Sequence, residues 1–242
     1  KLRRELHLPM AEDYLEELEG DLTLIVDLPE LFPQKELPDS HRIIGPLIYR
    51  SRDSETELRE RLENGKPTLL VTTGSSGSED AFQLLRETPF WKYNIIVTGS
   101  AGNWGKAAHI FHQPFLNIPA VIDRVDVVLT HGGNGSIYQA LAGGVPVLCR
   151  PVIFEQEWNV HRVEELGLGQ WLSGNISPRE LKKIIVSWLD KTRTGPLIEM
   201  AGWMRACQKN QPRQIHGLLD RFLKLKKIKS LSEISITERM RS

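Results

Sequence analysis

Residues 125–149 decide the fold: they read VDVVLTHGGNGSIYQALAGGVPVLC. An apolar run of strand length is followed by a glycine-rich loop, a stretch with helical pattern and a second apolar run, which is the pattern of a βαβ unit. Both runs are nearly continuous in apolar residues, as in strands that are covered by helices on both faces. This segment therefore predicts a parallel sheet in an α/β protein.

The same alternation extends from about residue 66 to residue 189 and predicts a Rossmann-like, doubly wound parallel sheet with flanking helices. The strand candidates are Thr68–Thr73, Asn94–Thr98, Val125–Leu129 and Val145–Cys149, with weaker candidates at Ala108–Phe111 and Gln170–Leu172. The helix candidates are Glu79–Arg86, Ser136–Ala142, Glu155–Leu166, a helix opened by the capping box Ser177-Pro178-Arg179-Glu180, and two late helices at Pro196–Lys209 and Arg213–Lys227.

The first sixty-odd residues differ in character. An apolar run at Leu22–Val26 is followed by four prolines with polar residues between them, at positions 29, 33, 38 and 46. Proline removes a backbone donor and interrupts helices and sheets. This region is therefore predicted to be an extended connection without a packed core.

Composition narrows the class of protein. The 242 residues carry 31 basic and 31 acidic side chains, so nothing overall points to nucleic acid as a partner. No apolar run is long enough to span a bilayer, and the first residues lack the apolar core of a signal peptide, so we expect a cytoplasmic protein. Cys149 is expected to be a buried thiol, and no set of side chains is spaced for a metal, so neither metal nor cofactor is predicted.

A glycine-rich loop, His131-Gly132-Gly133-Asn134-Gly135-Ser136, joins the first apolar run to the helical stretch. Glycines let a ligand approach the backbone closely, and the first turn of a helix offers N–H groups and the positive end of the helix dipole. In open α/β sheets, ligands bind at the carboxyl ends of the strands, where this loop begins. The loop predicts a phosphate site, the alternative being a tight turn without a ligand.

Two further segments would reach the same edge of the sheet. The loop that begins Gly74-Ser75 can present donors to a phosphate, but it lacks the G-x-G-x-x-G spacing of dinucleotide folds, and a simple helix cap explains it equally well. Glu155 and Gln156 follow the strand candidate Val145–Cys149. A carboxylate beside an amide suits the hydroxyls of a sugar, although acidic residues are also ordinary at the start of a helix.

The run from His131 to Gly169 resembles the donor-binding motif of the UDP-glycosyltransferase family, which has the two-domain GT-B fold. The matching elements are, in order, the glycine-rich loop, Gly144-Val145-Pro146, Pro151, Glu155-Gln156 and Asn159. Upstream, Gly45-Pro46-Leu47 resembles the linker between the two domains. The resemblance covers the chain from about Asp21 to Gly169.

The resemblance implies a role for each matching residue. The diphosphate would be held by His131, Gly133, Asn134, Gly135 and Ser136, with help from Gly74 and Ser75. Gln139 stands where the family usually has a Glu for the ribose. The base would lie against His112, Pro114 and Phe115, a departure from the family's Trp-x-Pro-Gln that leaves uracil and thymine both open. Glu155 and Gln156 would bind the donor sugar.

The resemblance also implies a division of the chain. Residues 1–44 would end an acceptor domain and start the linker, 45–65 would be the interdomain linker, 66–209 the donor nucleotide-sugar domain, and 210–242 a C-terminal helix and basic tail. The implied activity is that of a hexosyltransferase: inverting, metal-independent transfer from a UDP- or dTDP-sugar to a hydroxyl of a small molecule or lipid. The general base would lie in the acceptor domain, so this chain alone is expected to bind donor and to transfer slowly or not at all.

Two other functions stay open at this level. A nucleotide-sugar epimerase of similar fold would need an acid/base pair, for which Glu155 and Glu157 are the candidates. A non-catalytic donor-binding subunit would need a separate acceptor chain, and the piece Lys1–Arg42, which resembles the end of a covalently joined acceptor domain, argues against it. The basic tail is compatible with contact to the acceptor half or with peripheral contact to a membrane.

Overall fold

The computed structural model describes residues 5, 20–72, 79–99, 104 and 107–226. Within these residues the strands are β1 (Thr23–Ile25), β2 (His41–Ile43), β3 (Thr68–Thr72), β4 (Asn94–Thr98), β5 (Ile110–Gln113), β6 (Val127–Thr130), β7 (Val147–Cys149) and β8 (Gly169–Trp171). The helices are α1 (Thr56–Leu62), α2 (Ile118–Val121), α3 (Asn134–Ala142), α4 (Phe154–Glu165), α5 (Pro178–Leu189) and α6 (Gly195–Lys226). Short 3-10 helices occupy Glu79–Arg86, Thr88–Phe90 and Ile122–Arg124.

A six-stranded parallel sheet forms the centre of the molecule, in the order β5-β4-β3-β6-β7-β8. The chain runs outward in one direction from β3 to β5 and then returns to β6 on the other side of β3, so the connections reverse between β3 and β6. This is the doubly wound arrangement, and the crevice above the carboxyl ends of β3 and β6 is its usual ligand site. The α/β fold class predicted from the sequence is confirmed.

Helices cover both faces of the sheet because neighbouring residues of each strand point to opposite sides. Val128 of β6 belongs to an apolar cluster with α3, α4 and α6, whereas Val127 and Leu129 belong to a cluster with α5 and the 3-10 helix at Glu79–Arg86. Strands β3, β4 and β6 are buried along their whole length. The nearly continuous apolar runs in the sequence reflect this double burial.

The predicted elements of the sheet are confirmed in type, with ends that move by one or two residues. The capping box at the start of α5 is present: the N–H of Glu180 donates to Ser177 Oγ (3.3 Å), and the N–H of Ser177 donates to Glu180 Oε2 (2.8 Å). Cys149 is buried and free, and burial raises the pKa of its thiol.

The prediction of two late helices is wrong, because α6 runs unbroken for 32 residues with Pro212 inside it. Proline removes one intrahelical hydrogen bond. Apolar contacts hold the helix before this point, where Leu197, Met200 and Met204 are buried against the sheet. Next to Pro212, the side-chain amide of Gln211 donates to the carbonyls of Ile44 (3.0 Å) and Gly45 (2.9 Å).

The proline-rich segment was also predicted wrongly, since it contributes to the core. Leu28 and Leu31 are fully buried and Phe32 is 7% exposed, all within the cluster on the α3 side of the sheet. Arg162 Nε donates to the carbonyl of Leu31 (2.9 Å) and ties the segment to α4. Prolines prevent regular hydrogen bonding, but they do not prevent the apolar residues between them from being buried.

The predicted domain boundaries stay predictions. Within the stretch assigned to the linker, residues 45–65, α1 buries Leu58 and Leu62 in the core. The predicted boundary at residue 210 falls inside α6. Among the described residues, no helix combines the length and the apolar character that crossing a membrane requires.

Candidate functional site

The glycine-rich loop begins where β6 ends, beside the carboxyl end of β3, and each of its first two glycines has its own physical reason. Gly132 has a φ of 95°, and a Cβ there would lie 2.7 Å from Val160 Cγ2 on α4. A Cβ on Gly133 would lie 2.7 Å from His131 Nε2. Gly132 thus lets α4 pack against the loop, and Gly133 leaves room for the imidazole of His131.

The amino end of α3 has no side-chain cap. Its N-cap is Gly133, which has no side chain to cap the helix, and the N–H groups of Ser136 and Ile137 both donate to the Gly133 carbonyl at 3.1 Å. The N–H groups of Asn134 and Gly135 precede the first intrahelical hydrogen bond. Gly135 is exposed, and a Cβ added there would meet none of the described atoms within 4 Å. The described residues therefore leave room for an anion at the positive end of this helix.

His131 directly follows β6 and is 6% exposed. Burial lowers the pKa of His131, while the Glu155 carboxylate and the backbone of Thr72 on β3 oppose that shift. The imidazole is thus neutral at pH 7 and can donate one hydrogen bond. The pKa of His131 thus depends on groups of two neighbouring elements, the backbone of β3 and the Glu155 carboxylate on α4.

The first turns of α4 supply the residues predicted to bind the sugar. Glu155 is exposed, and its Oε1 accepts a hydrogen bond from Asn159 Nδ2 (2.7 Å). Asn159 Nδ2 also donates to the carbonyl of Gly132 (3.0 Å). Gln156 is 1% exposed, and its Oε1 accepts from the N–H of Val152 (2.9 Å). Glu155 therefore faces the solvent, whereas Gln156 holds the turn between β7 and α4; a sugar contact for Gln156 stays a prediction.

The predicted base-binding residues lie at the carboxyl end of β5, three strands from β6, with His112 in the strand and Pro114 and Phe115 directly after it. His112, Pro114 and Phe115 are exposed, and Phe115 packs edge-on against the exposed ring of Tyr49, with centroids 5.9 Å apart and planes at 78°. Three strand spacings amount to about 14 Å, which a nucleoside diphosphate can bridge. That the two groups of predicted residues bind the two ends of one nucleotide stays a prediction.

Asn117 holds the segment that carries Tyr49 beside β5. Its side-chain amide donates to the carbonyls of Ser51 (3.2 Å) and Asp53 (2.5 Å), and its backbone N–H donates to Glu55 Oε1 (2.8 Å). The relative position of Tyr49 and Phe115 is therefore set by hydrogen bonds as well as by ring contact.

Gln139, the predicted ribose residue, lies on α3 one turn after Gly135 and is half-buried. Its neighbour Tyr138 is 3% exposed and donates its O–H to the carboxylate of Asp27. Burial, together with the hydrogen bond and charge of Asp27, raises the pKa of Tyr138. Helix α3 is thus tied to the segment that follows β1.

Gly74 and Ser75, the remaining predicted diphosphate residues, lie outside the residues that the structure describes. Among those that it does describe, no cluster of three or more His, Cys, Asp or Glu side chains is placed to hold a metal ion.

Sequence reasoning assigned no role to three residues that stand out in the structure: Asn159, Tyr138 and Tyr49. Asn159 had a signal, because it lies four residues after Glu155 and such a spacing puts two side chains on the same face of a helix. Tyr138 and Tyr49 had none, since their partners are distant in sequence.

Part of the chain is similar in sequence to known glycosyltransferases. Residues 123–185 match the family model described as UDP-glucoronosyl and UDP-glucosyl transferase. The chain is 32% identical over 154 residues to the PGL/p-HBAD biosynthesis glycosyltransferase of Mycobacterium tuberculosis, an alignment that spans 62% of this chain and 36% of the relative. It is 29% identical over 179 residues to the demethyllactenocin mycarosyltransferase of Streptomyces fradiae, spanning 69% and 38%. The chain thus spans little more than a third of these curated relatives.

Solved structures show the same fold. The calicheamicin glycosyltransferase CalG4 superposes with a TM-score of 0.62 at 18% identity, covering 92% of this chain and 59% of the other. The spinosyn forosaminyltransferase SpnP gives a TM-score of 0.66 at 14% identity, covering 88% and 58%. The glycine-rich motif and the family match fall on the same residues, so this part of the chain is similar to the UDP-glycosyltransferase family, and the chain shares its fold with solved glycosyltransferases.

Proposed function

We propose that this chain is the donor-binding half of a glycosyltransferase that takes a sugar from UDP or dTDP and transfers it, with inversion, to an acceptor hydroxyl. The observation that carries the proposal is the uncapped amino end of α3 at the switch point of the sheet, with the buried His131 at the start of the same loop and no described atom within 4 Å of a Cβ on Gly135. Such an end binds a phosphate group through backbone N–H groups and the helix dipole.

The same groups would assist the chemical step. The acceptor oxygen attacks the anomeric carbon, the bond from that carbon to the diphosphate oxygen breaks, and the diphosphate leaves with the electron pair. The acceptor proton goes to a base that the family resemblance places in the acceptor domain. Charge that develops on the leaving diphosphate would be stabilised by the N–H groups of Asn134 and Gly135 and by His131, which supports transfer without a metal ion.

The rest of the donor would extend across the sheet. Glu155 offers an exposed carboxylate to the sugar hydroxyls, and Gln139 offers an amide to the ribose one turn into α3. The base would pack against the ring of Phe115, where Tyr49 forms a second aromatic wall. Stacking on an aromatic ring discriminates poorly between uracil and thymine, so we propose both bases and leave the choice to binding measurements.

The epimerase alternative is less well supported. Its candidate pair, Glu155 and Glu157, stands two residues apart on α4. At about 100° per residue, this spacing puts the two side chains on nearly opposite sides of the helix. Glu157 lines a groove of 380 Å³ with Phe154, Trp158 and Trp171, whereas Glu155 bonds to Asn159 on the side of the glycine-rich loop. The two carboxylates do not converge on one sugar.

The acceptor, like the activity of the whole protein, is a proposal. The relatives are named for PGL/p-HBAD biosynthesis and for demethyllactenocin. We propose a hydroxyl of a comparable small molecule or lipid, bound mainly by a half that this chain does not contain. The expected cytoplasmic location and peripheral membrane contact stay predictions.

Donor binding is tested by thermal-shift and calorimetric titration of this chain with UDP, dTDP, GDP and NAD. A ligand at one hundred times its dissociation constant adds about 2.7 kcal/mol to the free energy of unfolding. We expect this effect from UDP or dTDP on the wild type and its loss in His131→Gln. The matched control is His109→Gln, since His109 is equally buried, at 8% exposure, but precedes β5 at the opposite edge of the sheet. Stabilisation by NAD alone, or equal loss in both variants, would remove the proposal.

A further inference from the structure

Asn159 connects the two parts of the candidate site through a single nitrogen. The side chain is 3% exposed, and Nδ2 donates to the carbonyl of Gly132 (3.0 Å) and to Glu155 Oε1 (2.7 Å). One amide nitrogen thus donates both to the glycine-rich loop, which follows β6, and to the exposed carboxylate on α4.

Close packing of α4 against the backbone of Gly132 keeps the Asn159 amide within hydrogen-bonding distance of both partners. Gly132 can bear no side chain, because a Cβ would lie 2.7 Å from Val160 Cγ2 and 3.3 Å from the carbonyl oxygen of Gln156. The second turn of α4 therefore rests directly on the backbone of the loop. Within this close packing the Asn159 amide has its partners on both sides at hydrogen-bonding distance.

We propose that Asn159 is a positioning residue, whose amide holds the Glu155 carboxylate at a fixed place relative to the Gly132 backbone so that the sugar and the diphosphate of one donor are bound together. The inference rests on the proposed function and adds to it the residue that couples the two subsites. Without Asn159 the exposed Glu155 side chain turns into solvent, where it has no fixed orientation toward a sugar.

A purely structural role for Asn159 makes a different prediction. If the amide only fastens α4 to the loop, its loss disturbs the diphosphate site. The affinities for the free nucleoside diphosphate and for the nucleotide sugar then fall by the same factor. If the amide positions Glu155, the nucleotide sugar loses affinity and the free nucleoside diphosphate keeps most of its own. The ratio of the two dissociation constants separates these roles.

The first measurement is calorimetric titration of the full chain with two pairs of probes, UDP with UDP-glucose and dTDP with dTDP-glucose. We expect Asn159→Leu to reduce the preference for the sugar-bearing probe by about tenfold, the worth of one hydrogen bond to a charged group. Glu155→Gln should give a similar reduction, and the double variant should lose no more than either single variant.

The control is Asn94→Leu, because Asn94 is also a buried amide, at 1% exposure, but lies at the amino end of β4 and bonds to Asn64 and Thr68. It should lower stability and leave the preference unchanged. An equal loss for both probes in Asn159→Leu, or additive losses in the double variant, would overturn the inference.

A second measurement does not depend on the donor. The Glu155 carboxylate raises the pKa of His131 against the effect of burial, and the Thr72 backbone on β3 acts in the same direction. Titration of the His131 ring by NMR in the free protein should therefore give a lower pKa in both Asn159→Leu and Glu155→Gln than in the wild type. A fall in Glu155→Gln without a fall in Asn159→Leu would show that Asn159 does not hold the carboxylate. Failure of every nucleotide to bind would remove the proposed function, while this titration would still decide the role of Asn159.

Discussion

Replacing Gly135 by alanine should separate the stability of this protein from its binding of nucleotide. Gly135 is an exposed residue in the first turn of α3, and a Cβ there meets none of the described atoms within 4 Å. In a helix, alanine is more favourable than glycine by about 0.5–1 kcal/mol, because glycine loses more backbone freedom on folding. The variant should therefore be as stable as the wild type or slightly more so, with a melting temperature up to about 4 °C higher.

The same methyl group would stand where a phosphate must approach the N–H groups of Asn134 and Gly135. Two hydrogen bonds from backbone to a charged group are then lengthened or lost, and each is worth about 1.5–3 kcal/mol. We expect the affinity for UDP or dTDP to fall at least about tenfold, measured by calorimetry beside urea denaturation of the same preparation.

A matched control is Gly202→Ala on α6. That glycine also lies in a helix, and a Cβ there likewise meets none of the described atoms within 4 Å. It should be stabilised to a similar degree and bind nucleotide as the wild type does. Unchanged affinity in Gly135→Ala would refute the argument that a phosphate sits on the amino end of α3. A large loss of stability would contradict the expectation that the first turn of α3 tolerates a Cβ at Gly135.

Three further predictions concern the anchoring of α3, the buried histidines and the base. Tyr138→Phe removes the O–H that donates to the Asp27 carboxylate and should lower the free energy of unfolding in urea by about 1.5–3 kcal/mol; a change below about 0.5 kcal/mol would contradict the contact. His109 and His131 both have a pKa below the ordinary value of 6.5, mainly through burial, so the unfolded chain binds their protons more readily. The stability they contribute is complete above pH 6.5 and is lost as the pH falls through their lower pKa values in the folded protein. The urea concentration at the unfolding midpoint should therefore decline as the pH is lowered from 7.5 to 5, and it should decline less in His131→Gln. Phe115→Ala should leave stability unchanged, because the ring is 66% exposed, and should cost about 1–3 kcal/mol of UDP binding if the base stacks on it; equal affinity in calorimetry would move the base elsewhere.

The sequence by itself determined the features that depend on neighbours along the chain. The continuous apolar runs predicted that the strands are buried on both faces, and Ser177 and Glu180 predicted the start of α5. Both signals come from residues that are close together in the sequence. The glycine-rich loop could be predicted for the same reason, since the turn after β6 needs glycine within a few residues. Its assignment to a nucleotide site came from the family resemblance and stays a proposal.

Only the tertiary structure decided which distant residues meet. Leu28 and Leu31 are buried although they stand in the proline-rich segment, and α6 continues past Pro212. The side chain of Gln156 is buried, and the ring of Tyr49 packs against that of Phe115. The tertiary structure also placed Asn159 between Gly132 and Glu155, whereas the sequence showed only its four-residue spacing to Glu155 and its place in the motif that resembles the family. Such contacts depend on the packing of elements far apart in the chain, where burial and hydrogen bonding override local preference.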